Sequence, residues 1–337
     1  MLESPATIAY CLQEHHRNVP DLSPFAVKGV IAMSRILTVN GEIDSSRAGF
    51  TLPHEHVMTD FAGADRATRD RYDRDSVIEV MLPHLNDAKR SGVETFIECT
   101  PMGLGRDVIL LRELAERTGL NIVTNTGQYK GIHVPSASMG MSAEEIAREW
   151  IGEFANGIEG TGIRPGFIKT AVDTGDLTEM ETRLLTAAAL CSTETGMAIA
   201  THCGPVGKGR KVLDLLRKYS VPPEKWILVH AQAEEDADAL AAFAATGVWI
   251  ELDGLGWGMD DRHEAYALRL IRDGFADRIL LSHDAGWYHV GEPGGGTQKP
   301  FTVLSDTFLP RLRAIGVSDT DIERITVENP AHAFAIV

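Results

Sequence analysis

The sequence has no long apolar run. A helix needs about 18 consecutive apolar residues to cross a bilayer, and none occurs, so nothing reads as a membrane span. Cysteine is scarce: the 337 residues hold only Cys11, Cys99, Cys191 and Cys203, with no CxxC pair. That spacing excludes a disulfide scaffold and a cysteine-based zinc module, and it reads as free thiols in a reducing compartment. Positive charge is in deficit. Lys and Arg number 32 against 48 Asp and Glu, a formal net charge of −16. Phosphate backbones select basic surfaces, so nucleic acid is excluded as a partner. The N-terminus lacks the basic stretch and apolar core of a secretory signal. The expected location is the cytoplasm, and the expected partners are a small-molecule substrate and a second copy in a homodimer. A glycine-rich phosphate loop after the first strand is also missing, which argues against an open dinucleotide-binding sheet. There is no internal repeat, and the only low-complexity tract is Gly294-Gly295-Gly296.

What is present is 44% hydrophobic content, ample for one sizeable core. Residues 1–34 stand apart as an N-terminal extension or an over-long start, with Met33 as an alternative first residue. Beyond them short apolar runs alternate with amphipathic stretches. The runs fall at 50–53, 93–98, 121–125, 165–170, 197–201, 226–230, 247–252 and 278–282. Helical patterns fill most gaps, for example 75–90, 106–118, 142–155, 178–195, 234–245 and 262–273. Gly92, Gly119, Gly196, Gly247 and Gly274 fall where left-handed helix caps are wanted. Strands and helices in this alternation predict an α/β fold, a single (β/α)8 barrel over residues 35–337. Its active site should lie at the C-terminal ends of the strands.

The strand ends carry the chemistry. The first run closes on His54-Glu55-His56, the fourth on Lys169, the fifth on His202, the sixth on His230 and the eighth on His283-Asp284. Residues i and i+2 of a strand share a face, so His54 and His56 point together into the barrel mouth and Glu55 points away. Imidazole pairs suit zinc or a similar metal. A lone strand-end histidine is commonly a hydrogen-bonded structural residue, but four in one barrel mouth are hard to explain without metal. Lys169 ends a buried run. Burial and neighbouring cations favour the neutral amine of a lysine, and a neutral amine can add CO2 to give a bridging carbamate. A surface ion pair or a Schiff-base lysine are the rival readings. Asp284 can ligate a metal and accept a proton from bound water, whereas His283 should face a helix as a structural residue.

The set HxH, strand-four Lys, strand-five His, strand-six His and strand-eight Asp resembles the phosphotriesterase family of the amidohydrolase superfamily, including its phosphotriesterase-like lactonases. Gly105-Arg106-Asp107 and Thr326-Val327-Glu328-Asn329-Pro330-Ala331 strengthen the likeness, which covers roughly residues 35–337. The resemblance implies two divalent ions per chain. Zinc is the expected metal, with manganese, cobalt or iron as alternatives. It implies that His54, His56 and Asp284 hold one ion and His202 and His230 the other, and that a carbamate on Lys169 and a hydroxide bridge them. Lys169 and Asp284 are thereby the expected catalytic residues. The paraoxon-type members carry a proton-relay histidine after the strand-seven aspartate. Here Asp253 is followed by Gly254. Lactonase-like members have a tyrosine after strand three, and Tyr129 is similar. The implied activity is hydrolysis of lactones or carboxylic esters, with phosphotriesters or amides as alternatives.

Three loops, Gln128 to Met141, Asp253 to Asp261 and Ala285 to Pro300, should overhang the site. Tyr129, Trp257 and Trp287 are the candidate substrate contacts, with Tyr288 beside them. Lys130, Lys208 and Arg210 could meet an anionic group. Gly291 and Gly294–Gly296 suggest a mobile lid.

Overall fold

The first barrel strand is longer than its apolar run. β3, Thr51–Thr59, follows a short antiparallel hairpin of β1, Arg35–Thr38, and β2, Gly41–Asp44. It is buried along its whole length, so both histidines lie inside the strand and not beyond its end. The computed structural model describes residues 34–337. The readings made for residues 1–33, Cys11 and Met33 among them, lie outside these residues.

The remaining strands are β4 (Thr95–Glu98), β5 (Asn121–Val123), β6 (Asn125–Gly127), β7 (Phe167–Ala171), β8 (Ala198–His202), β9 (Trp226–Val229), β10 (Trp249–Leu252), β11 (Ile279–Leu281) and β12 (Gly286–His289). Parallel pairing runs β3–β4–β5 and β6–β7–β8–β9–β10–β11. β5 and β6 are two halves of one barrel strand, broken at Thr124, the first half paired to β4 and the second to β7. Strand eight closes the circle onto β3. The Ser282 hydroxyl accepts from the His54 amide at 3.0 Å, and the Asp284 amide donates to the His54 carbonyl at 3.1 Å. β12 then continues alongside β3 in parallel register. The fold is a (β/α)8 barrel.

The helices between strands are α1 (Arg74–Arg90), α2 (Val108–Thr118), α3 (Ala143–Asn156), α4 (Glu179–Thr195), α5 (Val206–Lys218), α6 (Ala237–Ala244) and α7 (Asp260–Arg272). Local chemistry fixes their ends. Ser142 with Glu145 and Thr178 with Glu181 form capping boxes at the starts of α3 and α4, satisfying amides that lack helical partners. Gly119 and Gly196 end α2 and α4 in the left-handed region, where a side chain would be strained. The alternation of strand residues divides the core in two. One layer packs the helices against the barrel, and a smaller cluster fills the barrel interior with Ile97, Val123, Phe167, Ala198, Ala200, Ile227, Val229 and Leu280. Among the described residues no helix is long and apolar enough to cross a membrane.

α5 escaped the sequence reading, and with it the place of two cations. Lys208 is buried on α5, donating to the carbonyls of Gly175 and Asp176 at 3.3 and 3.1 Å, and the Arg210 guanidinium lies 5.7 Å from the Phe243 ring. Both brace the outer layer and neither lines the barrel mouth. Lys130 is held by Asp173 at 2.7 Å.

Candidate metal centre

Inward-facing positions along a strand recur every second residue, so the barrel-filling residues predict the next inward group. Phe167 is followed by Lys169, and Ala198 and Ala200 by His202. His54 and His56 turn inward after the register of β3 against β4 shifts between Leu52 and Glu55. His230 and Asp284 come by another route. Each stands just past its strand in the left-handed region, at φ +61° and +52°, and that twist turns the side chain into the mouth.

The six groups converge. Ligand atoms of His54, His56 and Asp284 lie within 4.8 Å of one another. Asp284 Oδ1 stands 3.1 Å from His56 Nε2 and 3.7 Å from His54 Nε2. His202 Nδ1 and His230 Nε2 are 2.7 Å apart, and Lys169 Nζ is 3.2 Å from His54 Nε2. Lys169 is 2% exposed, and among the described residues no carboxylate pairs with it.

A second ring of side chains fixes which nitrogen faces the centre. His54 Nδ1 donates to Glu251 Oε2 at 2.9 Å, and His230 Nδ1 donates to Asp253 Oδ1 at 2.6 Å. His56 Nδ1 donates to the Thr100 hydroxyl at 2.8 Å, because that hydroxyl gives its own proton to the Met58 carbonyl at 3.0 Å. Three Nε2 lone pairs are thereby left facing the centre. His202 presents Nδ1 instead, which accepts from the Tyr129 hydroxyl at 2.9 Å. Burial holds the pKa of His54 well below the ordinary histidine value. Burial and then His230 do the same for His202. Burial alone would lower the pKa of His230, but Asp253 and Asp284 outweigh it and raise it. Burial pushes the Glu251 carboxyl well up, while His230 and hydrogen bonds overcome burial at Asp253 and keep it low.

This donor set fits divalent metal. Imidazoles with one nitrogen engaged outward and the other turned to the centre stand beside carboxylates, and among the described residues Asp284 Oδ1 is buried without a hydrogen-bond partner. An unpaired buried carboxylate oxygen is costly without a cation. Glu251 Oε1 is orphaned in the same way.

The cavity over these groups measures about 60 Å³, and Phe61, Pro101, Leu104, Tyr129 and Trp287 form its apolar walls. Trp257 does not line it. Its indole stands behind Trp287 with ring centroids 6.2 Å apart, Nε1 donates to the His283 carbonyl at 2.9 Å, and Lys299 Nζ caps its face at 3.5 Å. Trp257, expected among the substrate contacts, thus stands beside Trp287 and outside this cavity lining. Tyr288 is likewise buried beneath Gly295. Phe61, stacked 5.7 Å from Trp287, was missed because nothing in its neighbourhood of the sequence distinguishes it. Glu251 was missed although it stands two residues before Asp253, the same inward face of one strand. His283 behaves as expected, buried against Glu55.

A profile of the phosphotriesterase family matches residues 34–334. The chain is 31% identical to an aryldialkylphosphatase of Saccharolobus solfataricus over 87% of this chain and 97% of that one. It is 24% identical to an N-acetyltaurine hydrolase of Danio rerio, over 88% and 96%. An organophosphorus hydrolase variant from Deinococcus radiodurans superposes with a TM-score of 0.81 at 31% identity, covering 89% of this chain and 97% of that one. The profile, the relatives and the barrel agree, and the chain is a hydrolase that belongs to the phosphotriesterase family.

Proposed function

We propose that this protein is a binuclear metal-dependent hydrolase of lactones or carboxylic esters, acting in the cytoplasm as a homodimer through one catalytic domain, residues 35–337. His54, His56 and Asp284 would hold one divalent ion, zinc by preference, and His202 and His230 the other, with a carbamate on Lys169 shared between them. Such ions supply a water that ionises near neutral pH and a Lewis acid for the substrate's oxygen. Asp284, its Oδ1 turned to the His54–His56 pair, takes the proton of the attacking water and returns it to the leaving alkoxide. Phe61, Leu104 and Trp287 exclude bulk water from that exchange.

The observation that carries the substrate class is the Tyr129 hydroxyl, aimed at the ligand atom of His202 from 2.9 Å. With a metal on that nitrogen the hydroxyl is released to donate to a ring oxygen, which orients a lactone for attack. Gly254 points the same way. Its φ is +83°, and a Cβ there would meet Gln232 Nε2 at 3.2 Å, so this backbone does not offer the relay histidine a place. A tethered lactone alkoxide stays beside Asp284 and does without a relay.

The rivals are phosphotriester and amide hydrolysis. A hydrolysis screen of lactones, aryl esters, phosphotriesters and N-acyl amides with the zinc, manganese and cobalt forms decides among them. A lactone should be the best substrate; a triester or an amide in that place refutes the proposal.

A further inference from the structure

Glu55 stands between the two strand-one histidines, and its carboxylate turns away from them into the seam with strand eight. It is fully buried. All four hydrogen bonds it accepts from strand eight come from one short stretch. Oε1 accepts from the Ser282 hydroxyl at 2.8 Å, the His283 amide at 3.1 Å and His283 Nδ1 at 2.5 Å. Oε2 accepts from the Ala285 amide at 2.9 Å. The His283 ring cannot turn, because its Nε2 accepts from the Leu304 amide at 2.8 Å.

Asp284 lies between the two amides that converge on this one anion. Amides flanking a left-handed residue form a concave nest for negative charge, and Asp284 is that residue, at φ +52°. An aspartate pays a steric penalty there and stays only if its surroundings hold it. The result of the twist is that the Asp284 carboxylate faces His56 and His54 at 3.1 and 3.7 Å. Glu55 itself lies outside the cavity lining.

We propose that Glu55 is a positioning residue. It is the built-in anion of the strand-eight turn, and it holds Asp284 in the left-handed conformation that aims its carboxylate at the His54–His56 pair. This rests on the reading of Asp284 as ligand and proton acceptor. It also explains why a carboxylate, and not its amide, is needed. A glutamine could accept on one side only. Its NH2 would oppose the Ala285 amide, or, if flipped, the three donors now gathered on Oε1.

The test is Glu55→Gln, with Ser282→Ala as a milder second variant that removes one of the four bonds and, with it, the acceptor of the His54 amide. Folding is checked by circular dichroism, and zinc is titrated into each metal-free protein against a chromophoric chelator. Wild type should take up two ions. In Glu55→Gln one of the two should bind about 10- to 100-fold more weakly while the other is unchanged. At saturating zinc, kcat on the best substrate of the screen should fall at least about tenfold with KM little moved, since only the proton acceptor has shifted. Ser282→Ala should show the same asymmetry, smaller. A folded Glu55→Gln with two unaltered sites and wild-type kcat overturns the proposal, and so does an equal weakening of both ions, which general loosening would give. If Glu55→Gln does not fold, an unaltered titration of Ser282→Ala overturns it. A wild type that takes up no zinc refutes the proposed function instead.

Discussion

The Asp253 carboxylate grips His230 twice, accepting from its Nδ1 at 2.6 Å and from its backbone amide at 3.0 Å. One bond fixes the tautomer, and the other holds the backbone where φ is +61°. Gln232 steadies the same carboxylate at 2.7 Å. Asp253→Asn should therefore weaken the ion assigned to His202 and His230 by about 10- to 100-fold. Chelator competition on the purified variant measures this, and unchanged affinity would remove Asp253 from the centre.

Among the described residues Lys169 has no carboxylate partner, and it sits at the heart of the ligand set. If it carries a carbamate, wild type should contain two metals per chain by elemental analysis, and Lys169→Ala should lose metal and activity together. Acetate or propionate added to the variant should restore part of both by occupying the vacated bridge. A variant with full metal and full turnover would refute the bridging role of Lys169.

Substrate preference follows from Tyr129 and Gly254. The kcat/KM for the best lactone should exceed that for a paraoxon-like triester by at least about a hundredfold, roughly 2.7 kcal/mol of differential transition-state stabilisation. Tyr129→Phe should lower lactone turnover more than triester turnover. Equal losses on both substrates would show that the hydroxyl does not select for the lactone.

Acid stability should depend on Asp107. It caps α2 and binds Arg74 at 2.7 and 2.8 Å and the Tyr72 hydroxyl at 2.7 Å. Burial pushes its carboxyl up, but Arg74, Tyr72 and the Leu110 amide outweigh this and hold it below the ordinary carboxylate value. A folded pKa that is depressed adds stability above the unfolded pKa, and that stability is lost as pH falls through the folded value. Asp107→Asn keeps a capping side chain and removes the charge. It should cost about 1–2 kcal/mol at pH 7, allowing for water that reaches Arg74. Melts of the metal-free proteins should show the gap closing below about pH 4. A gap that persists there would deny the carboxylate its role.

Much of the centre was legible because strand alternation is strict. Lys169 and His202 follow buried inward residues at a spacing of two, and HxH declares its own shared face. His230 and Asp284 were recognisable by position at strand ends, but their aim comes from left-handed backbone, which residue type does not reveal. Glu55 was read as pointing away, correctly, with no sign of what it would meet: its partners lie more than two hundred residues later. Lys208 and Arg210 misled because Gly207 and Gly209 interrupt the helical pattern of α5, so two packing cations looked like loop residues. Trp257 and Trp287 look alike in the sequence, so residue type does not say which indole lines the cavity and which stands beside it.

The seam where His54 meets Ser282 joins residues 228 positions apart. Barrel closure and assembly of the His54, His56 and Asp284 set thus depend on the same long-range contact. During synthesis, a nascent chain that has displayed all four histidines still lacks Asp284 and cannot complete the His54–His56 site. Where these residues hold metal, a chain cut short of strand eight would keep all four histidines and still lose that one site.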